Sequence, residues 1–166
     1  MIKIKTALIS VYDKSGILEL AQKLFDNNIE IISSGGTSKY LKENNIKVTE
    51  VEDYTGFSEI FDGRVKTLHP KIHAGILARG EKDSEELKKM GAKKIDLVVV
   101  NLYPFKEEVR KGSSNDEIIE KIDIGGISLI RAAAKNYKDV VVISSKNDYS
   151  SICHLLKENN GTTLDD

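Results

Sequence analysis

The densest chemistry in this chain lies between residues 64 and 73. Arg64, Lys66, His69, Lys71 and His73 place five potentially cationic side chains within ten positions, flanked by Gly63 and Gly75. A charge run is ordinarily a solvated face. Here Val65, Leu68 and Ile72 interleave with the cations and read as anchors that hold the loop down. The near-neutral net charge does not exclude a local basic pocket for a small anion here. His69 and His73 stand four apart, a spacing used in metal sites. No third ligand is apparent and Pro70 interrupts the pair, so no metal is assigned.

A second signal is the segment 29–41, IEIISSGGTSKYL. Gly35 and Gly36 let the backbone approach a ligand closely, and the helix that follows offers unpaired N–H groups at its positive end. Ser34, Thr37 and Ser38 add hydroxyls. Together these suit a phosphate, although the segment matches neither the Walker nor the dinucleotide glycine pattern. The alternative is a plain strand-to-helix turn with a capping Ser or Thr. The earlier turn, Ser10-Val11-Tyr12-Asp13-Lys14-Ser15-Gly16, is similar in make-up and adds Lys14. Two such turns favour one phosphate held between two loops.

A third signal pairs Asp123-Ile124-Gly125-Gly126 with Arg131-Ala132-Ala133-Ala134-Lys135-Asn136. Glycines let the chain pass close to a ligand, and alanines let a helix pack tightly beneath it. Asp123 also reads as a helix cap and Lys135 as a cation near a helix C-terminus, each ordinary. Asn101 and Tyr103 end the strongest apolar run, just before Pro104.

The elements that must carry these residues alternate. Apolar, β-branched runs at 3–11, 29–33, 48–51, 95–102 and 140–144 read as strands. Ile17, Leu20, Ala21, Leu24 and Phe25, spaced for one helical face, predict a helix after the first strand. Further helices are predicted at 37–44, 84–90, 116–121, 127–136 and 149–158. Residues 54–80 show no clear periodicity, and a stretch that long in a compact domain is more often functional than idle. Strands apolar throughout and separated by helices predict an α/β fold, a mostly parallel sheet flanked by helices. Ligands of such sheets bind at the carboxyl ends of the strands, which places residues 10–15, 33–37, 101–103 and 144–145 on one rim.

Composition sets the outer bounds. A length of 166 residues suits one domain, expected over 1–158, with a polar tail or linker start at 159–166. Lys plus Arg number 25 and Asp plus Glu 26, a balance that argues against a nucleic-acid or membrane-surface partner. The single cysteine, Cys153, excludes an internal disulfide and a cysteine-built zinc site. No apolar run approaches a membrane span and no signal peptide opens the chain, so a cytoplasmic protein is expected.

The motifs SVYDKSG (10–16), SSGGTSKYL (33–41), TGF (55–57), GRVKTLHPKIHAGILAR (63–79), NLYPF (101–105) and IDIGGISLIRAAAKN (122–136) occur in this order. Together they resemble the IMP cyclohydrolase domain, the amino-terminal part of the bifunctional purine-biosynthesis enzyme AICAR transformylase/IMP cyclohydrolase. The resemblance runs from about Ala7 to Tyr149. It implies a methylglyoxal-synthase-like α/β fold and a cyclic-amidine hydrolase that closes the purine ring of a formamido-imidazole carboxamide ribotide to IMP with loss of water. No cofactor is implied. A homodimer is implied for the full-length enzyme.

The resemblance also implies roles. Lys66 looks like the cation facing the formyl oxygen, and Lys135 like the proton donor and acceptor, with Asp123 and Tyr103 completing the relay. Ser34, Gly35, Gly36 and Thr37, with Ser10, Tyr12, Asp13 and Lys14, correspond to the phosphate and ribose side. Arg64, Val65, Thr67, Val100, Asn101, Ile124, Gly125 and Gly126 fall at further nucleotide contacts. Position 12 is Tyr where related sequences often have Ser.

Two rivals use the same fold. A methylglyoxal synthase would explain the phosphate turns but leaves GRVKTLHP and RAAAKN without a task. A regulatory nucleotide-binding domain needs the turns but not the convergence of Lys66, Tyr103, Asp123 and Lys135. The transformylase part of the resembled enzyme is absent from these 166 residues, which suits either an excised amino-terminal part, with the polar ending GTTLDD as a cut inside a linker, or a free-standing cyclohydrolase.

Overall fold

The computed structural model describes residues 2–158. The expected tail at 159–166 lies outside the described residues. Five strands form one sheet: β1 (Thr6–Val11), β2 (Glu30–Ser33), β3 (Thr49–Glu50), β4 (Leu97–Asn101) and β5 (Val141–Ile143). Their order is β3-β2-β1-β4-β5 and every pairing is parallel, as the apolar strand runs predict.

Nine helices are described: α1 (Ile17–Asp26), α2 (Gly35–Glu43), α3 (Val51–Thr55), α4 (Pro70–Leu77), α5 (Ser84–Lys89), α6 (Phe105–Lys111), α7 (Asn115–Glu120), α8 (Gly125–Lys135) and α9 (Tyr149–Glu158). A short 3-10 turn at Lys146–Asp148 leads into the last of them.

The central strand decides the layering. Side chains alternate along a strand, so β1 feeds two cores. Ala7, Ile9 and Val11 join Ile31, Leu97 and Val99 on one face, covered by Ile17, Leu20 and Leu24 of α1 and Ile152 and Leu156 of α9. Leu8 joins Ile32, Val98 and Val100 on the other, covered by Ile72 and Ile76 of α4 and Leu129 and Ala133 of α8. Leu8 stands opposite Ile32 on one side and Val98 on the other.

Several local expectations need correction. Phe25, expected on the buried stripe of α1, is 44% exposed, because Ile17, Leu20, Ala21 and Leu24 already complete that face. The third strand shrinks to two residues, because Val51 opens a helix. α2 starts at Gly35 rather than Thr37. α4 rises from the stretch without clear periodicity. His69 is its cap, its Nδ1 accepting the Lys71 N–H at 3.1 Å, and Pro70 occupies the first turn. α6 was not expected; it buries no side chain, so its sequence carries no apolar face.

At the amino-terminal rim of the sheet, polar groups are matched locally. The buried Asp96 carboxylate accepts the N–H groups of Lys5 and Thr6 at 2.8 and 3.1 Å. Lys93 pairs with Glu30 at 2.6 Å, and Lys94 lies 3.5 Å from Asp139. Buried Asn136 donates to the carbonyls of Ile76 and Ala78 at 2.9 and 3.0 Å.

Candidate active site

The carboxyl ends of the strands open into a cleft of about 670 Å³. The first turn contributes Ser10, Tyr12 and Lys14, the second Ser34, Gly36 and Thr37, and the 62–67 loop Arg64, Lys66 and Thr67. Asn101 and Tyr103 follow β4, and Asp123, Ile124, Gly125 and Gly126 lead into α8. Fifteen of the residues expected from sequence therefore meet at one surface.

Not all of them offer their side chains to a ligand. Thr37 Oγ1 accepts the Val11 N–H at 3.1 Å and donates to the Val11 carbonyl at 2.9 Å, which stitches α2 to β1. Asn101 Oδ1 accepts the N–H groups of Tyr12 and Asp13 at 2.7 and 2.9 Å, while its Nδ2 donates to the Asp13 carbonyl at 2.8 Å. These two side chains build the rim. Ser34 differs: its Oγ is buried and has no hydrogen-bond partner among the described residues. A hydroxyl left so is costly unless something else satisfies it.

Two ammonium groups crowd the start of α2, and glycine makes room for them. A Cβ at Gly35 would lie 3.1 Å from Lys66 Nζ, and one at Gly36 would lie 3.6 Å from Lys14 Nζ. Lys14 Nζ also donates to the Tyr12 carbonyl at 3.3 Å, and Lys66 Nζ lies 3.7 Å from Glu59 Oε2. Cations, a helix N-terminus and a buried hydroxyl converge, which is the chemistry of an anion site.

A second wall is different in kind. Tyr12 and Tyr103 lie with ring centroids 4.8 Å apart, and Ile119, Ile122 and Ile124 line the cleft beside them. Asp123 sits at the entry to α8, its Oδ1 accepting the Gly126 N–H at 2.6 Å. It is thus both a helix cap and a cleft carboxylate. A Cβ at Gly126 would come within 2.8 Å of that carboxylate and of Leu102, so the close turn requires glycine there. Arg64 forms an ion pair across the cleft with Glu120 of α7.

Five expected site residues lie elsewhere. Val100 is buried in β4 and packs in the core. Val65 forms a bridge with Ile60. Asp13 turns away to Lys146, 2.7 Å distant, and that ion pair with the Ser15 hydrogen bonds holds its carboxyl well below the usual range. Gly35 lines a smaller adjoining cavity shared with Ser34, Lys66, Glu50 and Glu59. Lys135 is the largest departure. Asp123 and Gly125 open α8 at the cleft, whereas Lys135 is exposed at the far end, ten residues on and about 15 Å along the axis.

Sequence reasoning missed Asp62, Ile119, Glu120 and Ile122 in the cleft, and noted Val11 and Gly63 only as parts of the neighbouring turns. For α7 the sequence carries no signal of an inward face, since the helix buries no side chain. The 62–67 loop is introduced by three successive residues with positive φ, Phe61 (54°), Asp62 (52°) and Gly63 (84°). This left-handed run reverses the chain so that Arg64 and Lys66 face the cleft. Among the described residues no group of three His, Cys, Asp or Glu side chains is placed to share a metal ion, and no helix is long and apolar enough to cross a membrane.

Comparison with known proteins gives one answer. The chain is 60% identical over 158 residues to the bifunctional purine biosynthesis protein PurH of Clostridium perfringens (strain SM101), covering 94% of this chain and 32% of that protein. It is 56% identical over 165 residues to the protein of the same name from Clostridium botulinum (strain Loch Maree), covering 97% and 33%. The chain thus spans about a third of the length of these relatives, at their amino-terminal region. The crystal structure of ForH superposes with a TM-score of 0.80 at 32% identity, over 96% of this chain and 83% of that one. Residues 16–128 match the family model of the MGS-like domain, and the chain belongs to that family.

Proposed function

We propose that this chain is an IMP cyclohydrolase, closing the purine ring of a formamido-imidazole carboxamide ribotide to IMP and water. The observation that carries the reading is convergence: Lys66, Tyr103 and Asp123, from three separate segments, open onto the same cleft as Lys14 and the Ser34–Thr37 turn. The relatives' name, bifunctional purine biosynthesis protein, supports it. On this reading the chain is the cyclohydrolase part of a longer cytoplasmic enzyme that pairs as a homodimer, with formyl transfer assigned to the remaining two-thirds.

The chemistry follows from the two walls. Lys14, the start of α2 and Ser34 hold the phosphate, which fixes the ribotide in an attack-ready pose. The carboxamide nitrogen forms a bond to the formyl carbon while the C=O π electrons move onto oxygen. The Lys66 ammonium offsets that developing charge. Asp123 accepts the proton that the attacking nitrogen gives up, and the Tyr103 hydroxyl donates to the departing oxygen. Asp123 passes its proton on to the same oxygen, and Tyr103 recovers one from the formamido nitrogen as the C–O bond breaks and the C=N bond forms. The formyl oxygen thus leaves as water with one proton from each nitrogen. No electrons are gained or lost, so the step asks for no redox group.

Lys135, at the far end of α8, takes no part in this scheme. Its position is also the observation that favours the alternative, a nucleotide-binding domain without turnover. Mixing the ribotide with the purified chain and following IMP by ultraviolet absorbance decides between them. Turnover by the wild type, lost in Lys66→Ala, supports ring closure in the cleft; IMP binding with no turnover by a folded wild type favours the binding domain. A Lys135→Ala arm separates proton transfer within the cleft, with turnover kept, from a route needing Lys135, with turnover lost and IMP binding kept.

A further inference from the structure

Tyr12 is the residue at which the cleft departs from what the sequence resemblance implies, and its surroundings give it a different task. Its backbone is pinned by the Asn101 side chain at 2.7 Å, and its carbonyl accepts from Lys14 at 3.3 Å. Its ring meets Tyr103 at 4.8 Å between centroids, tilted by 45°. The two rings are 43% and 42% exposed and both line the cleft. Lys121, which follows α7, holds its Nζ 5.7 Å from the Tyr12 centroid and 5.4 Å from that of Tyr103. It does not itself line the cleft, so it meets the rings from outside.

Three separate segments thus meet at one aromatic pair, braced on one side by a cation and open on the other. Half-exposed rings of this kind offer π faces, and every heteroaromatic base has a π face to stack on them. The cleft therefore offers both kinds of surface, cations and N–H groups as well as aromatic and aliphatic side chains. We infer that Tyr12 is a specificity-determining residue that stacks, with Tyr103, on the heteroaromatic ring of the ligand, and that Lys121 is a positioning residue for the pair. The ligand class is a nucleoside monophosphate or its imidazole ribotide precursor, held by its phosphate at α2 and by its ring at the tyrosines. This deepens the ribotide reading above and rests on it. It moves Tyr12 from the phosphate and ribose side to the base side.

The test compares two ligands that share a phosphate and a ribose but differ in the ring: IMP and ribose 5-phosphate. Both are titrated by calorimetry into the wild type, Tyr12→Phe, Tyr12→Ala and Lys121→Met, with circular dichroism checking that each variant is folded. Tyr12→Ala is expected to weaken IMP about tenfold, the equivalent of one base stack, and to leave ribose 5-phosphate unchanged. Tyr12→Phe keeps the ring and is expected to bind both as the wild type does. Lys121→Met, which keeps the stem without the charge, is expected to weaken IMP roughly threefold with no change for ribose 5-phosphate. Equal weakening of both ligands in Tyr12→Ala, or no weakening of either, overturns the inference. IMP binding without ring closure by the wild type would overturn the cyclohydrolase reading and leave the stacking site standing. No IMP binding by the folded wild type would overturn both.

Discussion

The two rims of the sheet are built from the same five strands and differ in what they leave undone. At the amino-terminal rim every polar group named above has its partner: Asp96 with two backbone N–H groups, Lys93 with Glu30, Asn136 with two carbonyls. At the carboxyl-terminal rim Ser34 Oγ is buried without one, two tyrosines stand half exposed, and consecutive non-glycine residues take left-handed backbone. A closed rim stabilises the fold, whereas an open one keeps interactions in reserve for a ligand. The two rims should therefore respond oppositely: substitutions at one change activity with stability intact, and at the other stability with activity intact.

The largest expected effect is at the open rim. Lys66→Ala should lower the rate of ring closure by about 10²- to 10³-fold, the scale for removing one stabiliser of a developing oxyanion. Its melting temperature should stay within a degree or two of the wild type's, since Lys66 is a half-buried surface cation. A large fall in melting temperature would break the contrast. Next comes Asn136→Ala at the closed rim. It strands the Ile76 and Ala78 carbonyls and should cost about 1–3 kcal/mol in urea unfolding, while turnover per folded molecule is unchanged.

Asp96 gives a pH signature to the closed rim. Burial pushes its carboxyl above the ordinary value of 3.8, outweighing the Lys5 and Thr6 hydrogen bonds that lower it. In the interval between 3.8 and the raised value the folded state binds more proton than the unfolded one, so this group's contribution to stability falls as pH rises. Asp96→Asn, which keeps an acceptor oxygen, should lose that dependence. Melting temperatures of the two proteins, taken from pH 7 down to pH 4, should show the wild type gaining on the variant as acid is added. A gap that is constant or moves the other way would refute the assignment. The smallest effect is at Phe61, 71% exposed with φ 54°. Phe61→Gly relieves an aromatic residue of left-handed backbone and should stabilise the fold by up to about 1 kcal/mol, read by denaturant unfolding.

What was legible in the sequence follows the same division. β1, β2 and β4 were read from apolar runs because burial on both faces leaves no other pattern. The three rim turns were read because glycine, Ser or Thr, and charge coincide in them. α4 was missed although His69 and Pro70 formed a cap and first turn, and Ile72 and Ile76 a buried i, i+4 pair; the interleaved charges hid them. α6 and the cleft face of α7 were illegible for a firmer reason. Neither helix buries a side chain, so no hydrophobic period marks which face looks inward. Lys135 shows the limit of motif reasoning. It belongs to the same motif as Asp123, but α8 carries it about 15 Å from the end that opens at the cleft.

The strand order has a consequence for how the protein is made. β1 lies at the centre of the sheet, yet its partner β4 begins at Leu97, roughly 60 residues after β2 ends. At the usual pace of about 5–20 residues per second, a ribosome takes roughly 3 to 13 s to cover that gap. Throughout it, Ala7, Leu8 and Ile9 have β2 on one side and an unpaired edge on the other. The central strand of the sheet is then open to any other strand within reach. The time it spends so is set by the speed of translation between Ser33 and Leu97, so slowing synthesis in that interval should raise aggregation of this domain more than slowing it after Asn101.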